Sequence, residues 1–301
     1  MTAFKTILAA FAAILLSLAV IVFYNVHQVS IEKVTDDLHV LYGLGGNVGV
    51  LATSEGTVII DTMTLQYQGN RIREIAEDIT GSPVTTIINT HYHLDHTHGN
   101  PAFAPGTRVI STERTLHHLE QTDADYFSGT AAALMPNETF DGAIDLTIGN
   151  KTIQLRHPGR GHTDGDLVAI MVEEESIHMG DLFFNKHYPN IDLEAGGSVQ
   201  KWGDTLDEVL KLQFNHVIPG HGPVSDRDGI RQFQKFIRQL ADIGARASTA
   251  GISLEATRQS TELTADAGYS EITMVVPIGL DREFVLQRAW EETHHAFTFR
   301  P

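Results

Sequence analysis

The chain of 301 residues contains no cysteine. Disulfide bridges and thiolate metal sites are therefore excluded, and any bound metal must rely on nitrogen and oxygen donors. Basic residues are scarce: 21 Lys and Arg stand against 38 Asp and Glu, a formal net charge of −17. Such a chain offers no basic face to nucleic acid or to an anionic membrane surface, which excludes those partners without naming another; a small-molecule substrate is expected from the candidate site residues instead. No G-x-S-x-G stretch occurs, so the serine nucleophile that such a turn presents is not signalled. Internal repeats, low-complexity segments and a linker after residue 30 are also lacking. With 42% hydrophobic and 20% charged residues, usage is that of a globular protein, long enough for one large core or two small ones.

Long hydrophobic runs are few, and one stands out. "MTAFKTILAAFAAILLSLAVIVFYNVHQ" places Lys5 ahead of an uncharged apolar run from Thr6 to Val26. About 20 helical residues span a bilayer core, whereas a signal peptide's apolar stretch is about 7–15. Only "LSLA", Leu16 to Ala19, offers a weak cleavage site. Residues 1–28 are thus expected to form a membrane anchor or a signal peptide, a buried helix being the third reading, and residues 29–301 the folded domain. Positive charge before the run and none close after it predicts a domain on the outer, periplasmic side, anchored or secreted.

Beyond Val29, strand and helix patterns alternate. "LHVLYGLGGNVGVLAT" and "GTVIIDT" read as strands joined by glycine-rich turns, and "QGNRIREIAEDIT" puts Ile72, Ile75, Ala76 and Ile79 on one helical face. "VTTIINT" and "TRVIST" are further strands, "ERTLHHLEQTD" a helix, and Ala124 to Phe140 a loop or irregular helix. Four strand candidates follow: "AIDLTI", "KTIQLRHP", "DLVAIMVEE" and "SIHMGDLFF". Then come an amphipathic helix over "VQKWGDTLDEVLKL", a strand in "HVIPGHG" and a long helix over "GIRQFQKFIRQLADIGARAS". Two halves of strands followed by helix predict two sheets back to back with helices outside. The stretch from Gly251 to Pro301 carries no clear pattern.

Chemistry concentrates in "NTHYHLDHTHGN", directly after the strand "VTTIINT". In an extended segment His91 and His93 leave on the same side and can reach one metal ion. Asp95 and His96 lie past a turn, placed for a second position nearby. Imidazole and carboxylate are the usual donors to zinc and other first-row divalent ions, but two do not hold a catalytic metal. Three glycine-flanked strand ends supply the rest: His162 in "GRGHTDGD", Asp181 in "HMGDLFF" and His221 in "VIPGHGPV". One metal is then assigned His91, His93 and His162, a second Asp95, His96 and His221. Asp181, with two oxygens, can bridge them, as suits a pair of ions about 3.5–4 Å apart in a hydrolase.

"HYHLDH", the glycine-flanked His162, "GDLFF" and "PGHG" together resemble the metallo-β-lactamase superfamily, in order and spacing, from about Leu38 to Val224. The resemblance implies an α/β (α+β) four-layer αββα sandwich with a dinuclear site, usually zinc, at one sheet edge, here preceded by one N-terminal apolar helix. It implies that Asp61, ending "TVIID", braces the histidine loop from outside the metal shell, and that His187 and Asn190 sit on a loop overhanging the cleft. Asp181 separates the chain from lactamases with cysteine at that position and is similar to the glyoxalase II and lactonase branches. The loop and helix "YPNIDLEAGGSVQKWGDTLDEVLKL" instead resemble lactamase-like relatives and the branch of sulfur-oxidation and quinoprotein gene clusters.

The expected enzyme is a hydrolase with two divalent ions, zinc first and iron or manganese as alternatives. A metal-activated hydroxide would attack the carbonyl of a lactam, lactone, thioester or related ester, with Asp95 orienting it and carrying a proton. The rival is an oxidoreductase of the sulfur-dioxygenase type with one iron on His91, His93, His162 and Asp181. Other histidines are read as structural or solvated, His117 and His118 as solvated on their helix.

Overall fold

The computed structural model describes residues 11, 16, 27–273 and 277–300. The apolar run expected to be an anchor or signal peptide lies almost wholly outside these residues. Among the described residues no helix is long and apolar enough to cross a membrane.

Two sheets make the centre. The first has the order β1 (Ser30–Lys33), β2 (Leu38–Tyr42), β3 (Val48–Thr53), β4 (Gly56–Ile60), β5 (Val84–Ile88), β6 (Arg108–Thr112) and β7 (Glu138–Phe140). Its first four strands run antiparallel, and β4 to β7 run parallel. The second has the order β12 (His216–Ile218), β11 (Ser176–His178), β10 (Val168–Met171), β9 (Lys151–Arg156) and β8 (Ala143–Ile148). Only its β11–β12 pair is parallel.

The layering follows from the two-residue period of a strand. Val58 and Ile60 of β4 point into the core between the sheets, as do Ile88 of β5, Ile110 of β6, and Ala169 and Met171 of β10. Their neighbours Ile59, Ile87 and Val109 face the other way, onto Ile72, Ile75 and Ala76 of the helix Gln66–Thr80. On the far side Val168, Ile170 and Ile177 meet helices Val199–Leu210, Arg227–Ala250 and Arg282–His294 through Trp202, Leu206, Phe233, Ile237 and Leu286. The expected four-layer αββα sandwich is the observed architecture.

The differences are local. Ala124 to Phe140, read as loop or irregular helix, contains the 3-10 helix Gly129–Leu134 and also the short strand β7, which joins the sheet beside β6. "SIHMGDLFF" is a strand only to His178, after which Gly180–Leu182 form a 3-10 turn. The pattern-poor tail holds the helices Leu254–Arg258 and Arg282–His294, the latter packing its Val285, Leu286 and Ala289 into the second core.

Candidate metal centre

Asp61, His91, Asp181 and His221 all follow the C-terminal ends of strands, namely β4, β5, β11 and β12. Parallel pairing of β4 with β5 and of β11 with β12 sets those ends at one edge of the sandwich, where open α/β sheets place their ligands. Asn47 ties the two sheets together there. Its amide donates to the carbonyls of Pro219 (2.9 Å) and Gly222 (2.7 Å), and its N–H to Gly220 O (2.8 Å).

Seven of the expected residues converge. His91, His93, His162 and Asp181 form one group, and Asp95, His96 and His221 a second, with the donor atoms of each within 4.8 Å of one another. Asp181 stands between the two. Its Oδ2 lies 3.5 Å from His162 Nε2 and 3.8 Å from His91 Nε2, and its Oδ1 lies 3.2 Å from His96 Nε2 and 3.5 Å from His221 Nε2. The segment carrying His91 and His93 is bent, not a strand, yet their rings sit 4.9 Å apart. Asp95 and His96 sit on the single helical turn Leu94–Thr97, and Asp95 Oδ2 reaches to 3.3 Å from His221 Nε2.

Outer contacts choose which nitrogen of each ring faces inward. His96 Nδ1 donates to Asp61 Oδ2 (2.7 Å), and Asp61 also accepts from the N–H (2.8 Å) and hydroxyl (2.7 Å) of Thr90. This places Asp61, with φ of 64°, where the brace was expected; the left-handed strain is held by these three bonds. His162 Nδ1 donates to the carbonyl of Asn190 (2.9 Å), so Asn190 acts through its backbone. His93 is turned over: its Nε2 donates to Asp192 Oδ2 (3.0 Å) and its Nδ1 faces His162 Nε2 at 2.8 Å. Phe184 stacks on the His221 ring, centroids 5.3 Å apart. His187 lines the same cleft and bonds Ser270.

Sequence reasoning missed Asp192. It is buried, and it also accepts from the Tyr92 hydroxyl and from Arg300. It stands inside "YPNIDLEAGG", where the only signal was an acidic residue in a loop near the site. His118, read as solvated, is buried and bonds Asp164 Oδ1 (2.7 Å), while Arg114 donates to Asp164 Oδ2 (3.0 Å).

Burial and mutual charge set which of these donors carry a proton. Burial lowers the pKa of His91 well below the usual imidazole value, with neighbouring imidazoles adding to the effect. His162 is lowered to about 4, mainly by burial, which outweighs the pull of Asp181. For Asp181 burial pushes upward, but His96, His221 and His162 outweigh it and bring the carboxyl down to about 2. Asp95 is likewise depressed, its burial outweighed by His96 and His221. His96 is raised well above its ordinary value: burial opposes its charge, but Asp181, Asp95 and Asp61 impose it.

Whether the residues fit metal ions can be judged from the polar atoms left over. His91 Nε2, His96 Nε2 and Asp181 Oδ1 are buried and make no hydrogen bond. Unpaired buried polar atoms are costly and uncommon, and three aimed at one region need a shared partner. Divalent cations satisfy all three, and the donor set of imidazole and carboxylate suits them. Two glycines keep the space: a Cβ at Gly46 would run into the His96 ring, and one at Gly220 into Asp181 Oδ1.

Residues 41–221 match the family profile of the metallo-beta-lactamase superfamily. The chain is 28% identical over 181 residues to the metallo-beta-lactamase type 2 of Bacillus sp. (strain 170), covering 59% of this chain and 67% of that protein. It is 25% identical over 242 residues to the 2,4-dinitroanisole O-demethylase subunit alpha of Nocardioides sp. (strain JS1661), covering 80% of this chain and 67% of the other. A metallo-beta-lactamase structure from Pontibacter korlensis superposes with a TM-score of 0.61 at 20% identity, over 70% of this chain and 99% of that one. With this match across its strands and donor residues, the chain belongs to the metallo-beta-lactamase superfamily and is a metal-dependent hydrolase.

Proposed function

We propose that the enzyme is dinuclear and cleaves a carbonyl substrate of the lactam, lactone, thioester or related ester type. His91, His93 and His162 would hold one divalent ion, Asp95, His96 and His221 the other, and Asp181 would give one oxygen to each. The observation that carries this reading is the position of Asp181 between two donor groups, its oxygens turned to opposite sides. A pair of such ions, zinc by preference, supplies Lewis acidity toward a carbonyl oxygen and lowers the pKa of water.

The protein's own groups do the rest. Asp95 is the ionised carboxylate nearest the open cleft, and its Oδ2 can accept a proton from the attacking water and return it to the leaving atom. Asp61, Asp192 and the Asn190 carbonyl keep the rings of His96, His93 and His162 in single orientations, so no reorganisation is needed when charge develops. Phe184 covers one face of His221 and keeps water from it.

The mononuclear iron reading would use the first donor group and leave Asp95, His96 and His221 without a task. Metal analysis of the purified chain should find close to two divalent ions, and esters, lactones or lactams should be hydrolysed. Saturation at one iron, with oxygen consumed in the presence of a persulfide, would defeat the proposal. We also propose that residues 1–28 place the enzyme outside the cytoplasm, on the charge asymmetry about Lys5.

A further inference from the structure

The cleft above the metal centre has a volume of about 640 Å³, in the range of small-molecule sites. Its floor is His93, Asp95, Asp181 and His221. Away from that floor its walls carry Tyr42, Leu44, Leu94, Ile272, Ile278 and Leu280, with uncharged polar groups at the rim. Among the described residues no lysine or arginine lines it. The nearby cations are engaged elsewhere: Lys186 bonds Gln232 and lies over Tyr269, Arg282 bonds Asp266, and Arg300 bonds Asp192.

Part of this wall lies outside the family match, which ends at residue 221. Ile272, Ile278 and Leu280 belong to the tail, which is stitched to the loop beyond Asp181. Ser270 donates its N–H to Lys186 O (3.0 Å), and its carbonyl accepts from Tyr188 N (3.1 Å). The residues between, Met274 to Val276, also bear no charge. Leu94 and Ile278 are 47% and 43% exposed, so apolar surface is presented to whatever enters.

On the strength of the hydrolase reading, we propose that the substrate is an uncharged acyl compound whose apolar chain lies along Leu44, Leu94, Ile272, Ile278 and Leu280. A chain carrying a carboxylate finds no counter-ion on these walls and loses its hydration on entry, in a protein already acidic overall. Each methylene that enters leaves water and gains apolar contact. The reaction is then the addition of water across the acyl C–X bond, giving a fatty acid and the leaving alcohol, thiol or amine.

The test uses the full, metal-loaded chain in detergent-free buffer with p-nitrophenyl acetate, butyrate, octanoate and the 7-carboxyheptanoate. A buried methylene is worth about a fourfold gain, so kcat/KM should rise at least about a hundredfold from acetate to octanoate. The terminal carboxylate should cancel most of that rise. Ile278→Arg should shift the ratio of the two long esters toward the carboxylate by about tenfold or more. In parallel, binding of N-butyloctanamide and its ω-carboxylate to the metal-free chain is measured by calorimetry, the neutral amide binding about tenfold or more tighter. Hydrolysis with no chain-length or charge dependence, and equal binding of the two amides, would overturn the cleft assignment and leave the hydrolase standing. Preferential binding of the neutral amide without hydrolysis of any ester would support the cleft and sink the carbonyl-substrate reading. Neither binding nor hydrolysis would overturn both.

Discussion

Removing the carboxylate of Asp181 tests the dinuclear arrangement most directly. Asp181→Ala takes away two oxygens, each lying 3.2–3.8 Å from two imidazole nitrogens, and leaves the backbone turn intact, since Leu182 N still donates to Met179 O and Gly220 N to Gly180 O. The first group keeps three histidines. The second keeps Asp95, His96 and His221 but loses the carboxylate oxygen nearest to His96 Nε2. Partners outside a metal shell cost about 10–100-fold in affinity when removed, so a lost donor should cost the second ion at least about 100-fold, or about 2.7 kcal/mol. Because ligand binding stabilises by mass action, the metal-dependent rise in Tm should shrink by that amount, about 5–11 °C for a domain of this size. Asp181→Asn keeps one coordinating oxygen and should fall between Ala and wild type in affinity, while its turnover falls nearly as far as that of Ala. Chelator titration, metal stoichiometry, melting and turnover on the same preparations give the answer. Two ions held at wild-type affinity, with the full metal-dependent rise in Tm, would refute the shared-carboxylate argument.

Other expectations follow from the contacts around the centre. Asp61→Asn, a substitution that the left-handed backbone tolerates, removes the charge bonded to His96 Nδ1 and should weaken the second ion about 10–100-fold in a competition titration. Asp192→Asn should weaken the first ion by a similar factor through His93; an unchanged first site would show that Arg300 and Tyr92 alone hold that loop. His178 is wholly buried and its pKa is lowered to about 4 by burial. The unfolded chain takes up a proton there as pH falls through 6.5, and the folded chain refuses it until about 4. Stability should therefore fall across that window, by up to about 1.4 kcal/mol per pH unit, and His178→Gln should flatten this part of the metal-free melting profile; parallel profiles would exclude His178 as the source. A reporter fused after Pro301 that works only outside the cytoplasm should be active, and activity of a cytoplasm-only reporter instead would reverse the proposed orientation.

Much of the molecule can be read from local order. Strands such as Val58-Ile59-Ile60 and Val168-Ala169-Ile170 announce themselves because both faces of a buried strand are apolar, and the helix Arg227–Ala250 because Ile230, Phe233, Ile237 and Leu240 recur on one side. The donor residues are equally legible: imidazoles and carboxylates crowded at glycine-bounded strand ends have few uses other than a metal. The three residues of β7 are too short to show a period, and their strand character comes from pairing with β6. His118 looked solvated because its helix is polar, yet Asp164, distant in sequence, turns that face inward. Asp192 reaches His93 across 99 positions, and Arg300 reaches Asp192 across 108. Ile272 and Leu280 become cleft walls only because Ser270 pairs with the loop at Lys186 and Tyr188. Periodicity and residue chemistry act between neighbours along the chain, so the sequence alone determined the layers and the inner donor set. The orientation of each ring, the shape of the cleft and the lack of cations among its described lining residues arise between segments that only packing brings together, and these the tertiary structure decided.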